Sequence, residues 1–193
     1  MTRRSKIALL ILVAAVALMG YYALRLKRRA QQLPVRAVDT RPVAPPVVGK
    51  AETLTLYVAD DSDALLHKQT ANIALPAESS ERALQVMRAL IAVYQQKESH
   101  HPLAEGADVN AVFLVAPDTA IIDVNSAFAD GHRSGVLVEE LTVASMAQTL
   151  AANVPNIGRI KIIVDGKERE TLACHADITS FYDLSTEPWP VAP

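Results

Sequence analysis

Between Val136 and Val154 apolar residues recur at helical spacing, as Leu137, Leu141, Ala144, Ala147 and Ala151, flanked by Val136, Val143, Leu150 and Val154. So wide a stripe predicts a helix laid against a sheet or core rather than a coiled-coil seam. Ser134 is placed to cap it, Glu139 and Glu140 lie at the positive end of its dipole, and Pro155 forbids continuation. The period then changes. Ile160, Ile162 and Val164 alternate with Lys161 and Ile163 as a strand, Asp165-Gly166 supplies a tight hairpin turn, and Lys167 to Leu172 is the return arm. This unit cannot bury its apolar faces alone, so the rest of the chain must provide the sheet.

Upstream, Leu54, Leu56 and Val58 alternate with Thr53, Thr55 and Tyr57, a half-buried strand. Asp60, Asp61, Ser62 and Asp63 form an acidic turn, and a second extended piece runs from Gln69 to Leu75, closed by Pro76. Ser79 or Ser80 caps a helix with Ala83, Met87, Leu90, Ile91 and Tyr94 on one face. After a loop from Gln96 to Asn110, two strands, Ala111 to Ala116 and Thr119 to Asn125, meet at Pro117-Asp118, where Pro suits a type I turn; Asp123 points outward. The reading is an α+β fold: a mixed sheet of four to six strands with two helices packed on one face, preceded by a transmembrane helix and a Pro-rich linker.

Ile7 to Leu24 is an uncharged apolar run of eighteen residues, about 27 Å as a helix and close to a hydrocarbon core. It reads as a signal anchor, with a cleaved signal peptide as the alternative; the site near Leu18 to Tyr22 is poor for cleavage, and no Cys follows for a lipid anchor. Basic residues flank it on both sides, so charge does not decide orientation, and the very short leading tail favours an exported C-terminal domain. Residues 1–29 form tail, anchor and basic flank, 30–50 a Pro-rich stalk, 51–184 the folded domain and 185–193 a tail that docks back through Trp189. Charge divides the same way: residues 1–50 hold ten Lys/Arg against one acid, and residues 51–193 hold nine against twenty. A folded part this acidic excludes nucleic acid as a partner.

Candidate chemistry is sparse. The acidic turn lacks the glycine and distal glutamate of a calcium loop, and His100-His101 has no third ligand at a useful spacing, so no metal is expected. No cofactor is expected either, because Gly131 and Gly135 suit chain turns and lack the lysine of a phosphate cradle. Cys174 and His175 point to opposite faces of an extended chain, and Cys174 reads as a small buried or half-buried thiol. His175 and Asp177 read as a hydrogen-bonded pair fixing the last turn, and Glu139-Glu140 as a solvated helix start. Ser126 and Ser145 lack any nucleophile-elbow context. No catalytic residue is assigned.

Several short elements occur in a familiar order: Ile122-Asp123-Val124-Asn125-Ser126-Ala127-Phe128, then Glu139 to Leu150 with Ser145 and Thr149, then Pro155 to Lys167 ending Val-Asp-Gly-Lys, then Glu170 to Ile178 with His175 and Asp177. Together with Leu54 to Asp60 they make residues 52 to 184 resemble the GerMN domain, the sporulation and spore-germination domain of bacterial envelope proteins. Members often have Gly or another small residue where this chain has Cys174, and many carry a lipoprotein Cys in place of a bare anchor.

That resemblance implies a compact extracytoplasmic α+β domain without catalytic activity, working through contacts with envelope proteins or copies of itself. The expectation is an interaction or assembly module of the cytoplasmic membrane, held by Ile7 to Leu24 with its domain on the periplasmic or cell-wall side. The strand faces bearing Thr53, Thr55, Tyr57, Asp123 and Lys161 are the candidate contact surface. The alternatives are a binding domain for a small envelope ligand such as a cell-wall glycan fragment and, with less support, a hydrolase.

Overall fold

The computed structural model describes residues 18–19, 50–185 and 191–192. The chain divides into two compact units, Met1–Ala44 and Pro45–Pro193. In the first, only Leu18 and Met19 are described, both helical and exposed. Of the predicted membrane segment only these two residues are described, of the stalk only Lys50, and Trp189 lies outside the described residues. Among these no helix is long and apolar enough to cross a membrane.

In the second unit β1 (Ala51–Asp60) and β2 (Leu65–Ala74) form an antiparallel ribbon, and α1 (Ser79–Tyr94) follows. A four-stranded mixed sheet then forms from β3 (Val109–Val115), β4 (Thr119–Val124), β5 (Arg159–Val164) and the short β6 (Tyr182–Asp183), in that order. Strands β4 and β5 are parallel, so the chain between them must cross over, and it does so through α2 (Ser126–Asp130) and α3 (Val136–Asn153). One continuous core joins Leu54, Leu56 and Val58 of the ribbon to Met87, Leu90 and Tyr94 of α1, to Met146 and Leu150 of α3, and to Ile122, Ile160 and Ile162 of the sheet.

The α+β class stands, with two corrections. The single sheet is two sheets, and there are three helices among the described residues instead of two. The return arm from Lys167 is no strand either: it makes isolated bridges only, Val164 to Lys167 and Thr171 to Asp177, before the chain reaches β6. Helix α3 explains the first difference. It is buried nearly all round from Leu141 to Leu150, with Val136, Leu137 and Glu140 at its start and Ala152 near its end exposed, as suits a helix inside a domain.

Local chemistry differs in smaller ways. Glu78, not Ser79 or Ser80, caps α1, its carboxylate accepting from the N–H groups of Ser80 and Glu81. Ser134 does not cap α3; Gly135 sits there instead, and its N–H donates to Glu139. The Ala116–Pro117 bond is cis. Asp165 and Gly166 do take the positive φ of the predicted tight turn, 47° and 71°. At Gly131 a Cβ would meet that of Ala104 at 2.4 Å, so glycine serves close packing there.

Candidate functional site

The side chains that could carry chemistry are mostly engaged within the fold. One edge of β1 pairs with β2, and the other faces α3. There Thr149 Oγ1 accepts the Tyr57 N–H at 2.9 Å, Ser145 Oγ donates to Tyr57 O at 2.6 Å, and Asn153 takes both polar groups of Thr55. Tyr94 Oη accepts the Ala59 N–H at 2.9 Å and also bonds Ser145. Four helical residues rise about 6 Å and two strand residues about 6.7 Å, so positions 145, 149 and 153 keep step with alternate residues of the strand. The helix thus covers a sheet edge that would otherwise leave donors and acceptors unpaired. Burial pushes the Tyr94 hydroxyl up to about 12.

Glu139 is fully buried, against the expectation of a solvated helix start. Its Oε2 accepts the N–H groups of Ala173, His175 and Ala176, each at 2.9 Å, and its Oε1 accepts from Gly135 N and faces His175 Nδ1 at 2.9 Å. Burial alone would push this carboxyl up; the His175 ring and the three N–H donors outweigh it and hold it at about 2. The expected His175–Asp177 pair is therefore absent: His175 belongs to Glu139, and Asp177 accepts from the Thr179 hydroxyl and N–H. Cys174 is exposed rather than buried, and its φ of 120° turns the chain between two of the N–H groups aimed at Glu139.

Asn125 has a similar part. Its Oδ1 accepts from Phe128 N, capping α2, and from Asp108 N, while its Nδ2 donates to Gly106 O.

A constellation that sequence reasoning missed lies between α1 and α3. Asp61 Oδ1 is 2.6 Å from His101 Nδ1, and His101 Nε2 is 2.7 Å from Thr142 Oγ1, a carboxylate–imidazole–hydroxyl row. Such a row is the arrangement that activates a nucleophile in hydrolases. Here Thr142 has no exposed surface and His101 1%. Thr142 Oγ1 also lies 2.7 Å from His132 Nε2 and 3.0 Å from Val138 O. Burial pushes both imidazoles down, and His132 Nδ1 donates to the Arg133 carbonyl. The row is a buried strut between segments 40 to 81 residues apart, and no spacing in the sequence marks it.

The candidate contact residues separate. Thr53, Thr55 and Tyr57 share the outer face of the ribbon with Lys68, Thr70 and Asn72 opposite them. Asp123 and Lys161 lie in the other sheet, 9% and 8% exposed. The β5–β6 connection roofs them: Asp123 accepts the Gly166 N–H, and Lys161 Nζ reaches Glu168 Oε1 and Thr179 O under the Phe181 ring. Asp123 thus points beneath the hairpin turn rather than outward.

The family model Germane, sporulation and spore germination, matches residues 55–170. Among solved structures, the tandem GerMN domains of the sporulation protein GerM from Bacillus subtilis are 18% identical, with TM-score 0.51 over 67% of this chain and 45% of that one. This chain thus spans less than half the tandem structure. The first GerMN domain of the same protein is 18% identical, with TM-score 0.49 over 69% of this chain and 98% of that one. A chain from Clostridium perfringens described as a lipoprotein is 20% identical, with TM-score 0.48 over 74% of this chain and 93% of that one. No curated protein matches.

Proposed function

The chain belongs to the Germane family of sporulation and spore germination, and from that premise we propose that it is a membrane-tethered, extracytoplasmic interaction module that performs no chemistry of its own. The observation that carries this reading is the engagement of the polar side chains. Asn125, Glu139, Ser145 and Thr149, which stand in the elements that carry the family resemblance, each satisfy backbone groups inside the domain. The one hydrolase-like row ends on a hydroxyl without solvent contact. The polar outer face of the ribbon, with Thr53, Thr55 and Tyr57, is the proposed contact surface, for an envelope protein or a second copy. Asp123 and Lys161 contribute to it only by fixing the roof above the second sheet.

A groove of about 460 Å³ beside Phe181 favours a second reading. Glu140, His175, Asp177 and Ser180 supply polar groups around a half-exposed aromatic ring, chemistry that suits a glycan fragment.

Protease treatment of intact spheroplasts tests the placement. An extracytoplasmic domain is digested while a cytoplasmic control survives. Protection until lysis would put the domain inside and end the proposal.

A further inference from the structure

Neither the acidic turn nor the histidine pair carries a metal motif alone, but the fold brings them together. Asp60 ends β1, Asp63 lies in the turn and His67 returns from β2, and one ligand atom from each lies within 4.8 Å of the others. His67 Nε2 is 2.8 Å from Asp63 Oδ2. From the loop after α1, 40 residues on, His100 places Nδ1 2.6 Å from Asp60 Oδ2. The Ser62 N–H and hydroxyl hold Asp60 Oδ1, and the Leu65 N–H holds Asp63 Oδ1. A groove of about 270 Å³ opens alongside, lined in part by His67, Gln69, Glu98 and His100.

We propose that Asp60, Asp63 and His67 bind a divalent cation of the zinc class, with His100 positioning Asp60 and a remaining coordination position facing the groove. The donor set selects the ion. One imidazole nitrogen with two carboxylates is the borderline mixture that zinc accepts, whereas calcium asks for six to eight oxygens. Ligating carboxylates need hydrogen-bonded partners to hold their orientation, and Ser62, His100 and the Leu65 N–H are such partners. Metal–ligand bonds of about 2.0–2.2 Å require the His67 and Asp63 donors to spread from 2.8 Å, which two partly exposed side chains can do.

The test is calorimetric titration of Zn²⁺ into the full chain in detergent after chelator treatment. The expected result is one ion per chain with a Kd at or below about 1 μM. His67→Ala and Asp60→Asn each weaken binding at least about tenfold, and His100→Ala by about 10–100-fold. Cys174→Ser and Asp165→Asn, which remove a thiol and a carboxylate elsewhere, leave it unchanged. If His67→Ala does not fold, Asp63→Asn replaces it, and Zn²⁺ must raise the melting temperature of the unaltered chain but not of that variant. Absence of saturable binding, or equal affinity in the ligand variants, overturns the site.

Discussion

Asn153 grips a single residue of the first strand from both sides, its Oδ1 accepting the Thr55 N–H at 3.0 Å and its Nδ2 donating to the Thr55 carbonyl at 2.7 Å. A side-chain amide here does what a neighbouring strand would do, and Thr149 and Ser145 repeat the arrangement at Tyr57. Asn153→Leu keeps similar volume and removes both partners, leaving a half-buried N–H and C=O unpaired. The expected loss is about 2–4 kcal/mol in urea unfolding, at about 1–3 kcal/mol for each orphaned group. A loss under about 0.5 kcal/mol would mean the helix is not completing the sheet.

Glu139 gives the domain an acid limb. Its folded-state pKa, about 2, lies below the ordinary 4.5, so its stabilisation is complete above about pH 4.5 and is lost as pH falls towards 2. Glu139→Gln removes the charge and turns an amide NH₂ towards N–H donors. It is expected to cost about 2–4 kcal/mol at pH 7, and the gap to the unaltered chain should narrow towards pH 2–3. Urea unfolding at pH 7, 4 and 3 checks this. A gap that does not change with pH would show that Glu139 is not held as an anion.

Cys174 occupies a backbone conformation, φ 120°, that favours glycine. Strain at such positions costs about 1–3 kcal/mol, against about 0.5–1 kcal/mol for the extra freedom glycine has when unfolded. Cys174→Gly is therefore expected to stabilise by about 1 kcal/mol, while Cys174→Ala, which keeps a Cβ, gains little. Unfolding midpoints of the two variants decide the matter, and equal midpoints would contradict the strain account.

What the sequence revealed and what it hid follow one physical division. Periodicity exposed each element whose apolar face meets the core, including β1, β4, β5 and both long helices, and the Asp165-Gly166 turn follows from its residue types. It could not show that β1 has a helix for its second neighbour, because Ser145, Thr149 and Asn153 look like ordinary polar positions until their spacing is compared with that of a strand. Glu139 resembled a solvated acid for the same reason: its partners lie 34 to 37 residues away on backbone N–H groups, which no side-chain pattern reports. The Asp61–His101–Thr142 row and the contact of His100 with Asp60 join residues 40 or more apart, long-range arrangements without local signature. Asp123 and Lys161 were readable as strand residues of a candidate contact surface, but not as lying under the β5–β6 connection.

A photo-crosslinking amino acid placed at Thr53 in living cells addresses the central claim most directly, because Thr53 is exposed on the outer face of the ribbon and its side chain has no part in the fold's hydrogen bonds described above. The account predicts a discrete adduct with an envelope protein or with a second copy of the chain, weakened when Tyr57 and Thr70 on the same face are changed to Glu. Adducts with cytoplasmic proteins alone, or none from Thr53, Tyr57 or Thr70 at full expression, would contradict it.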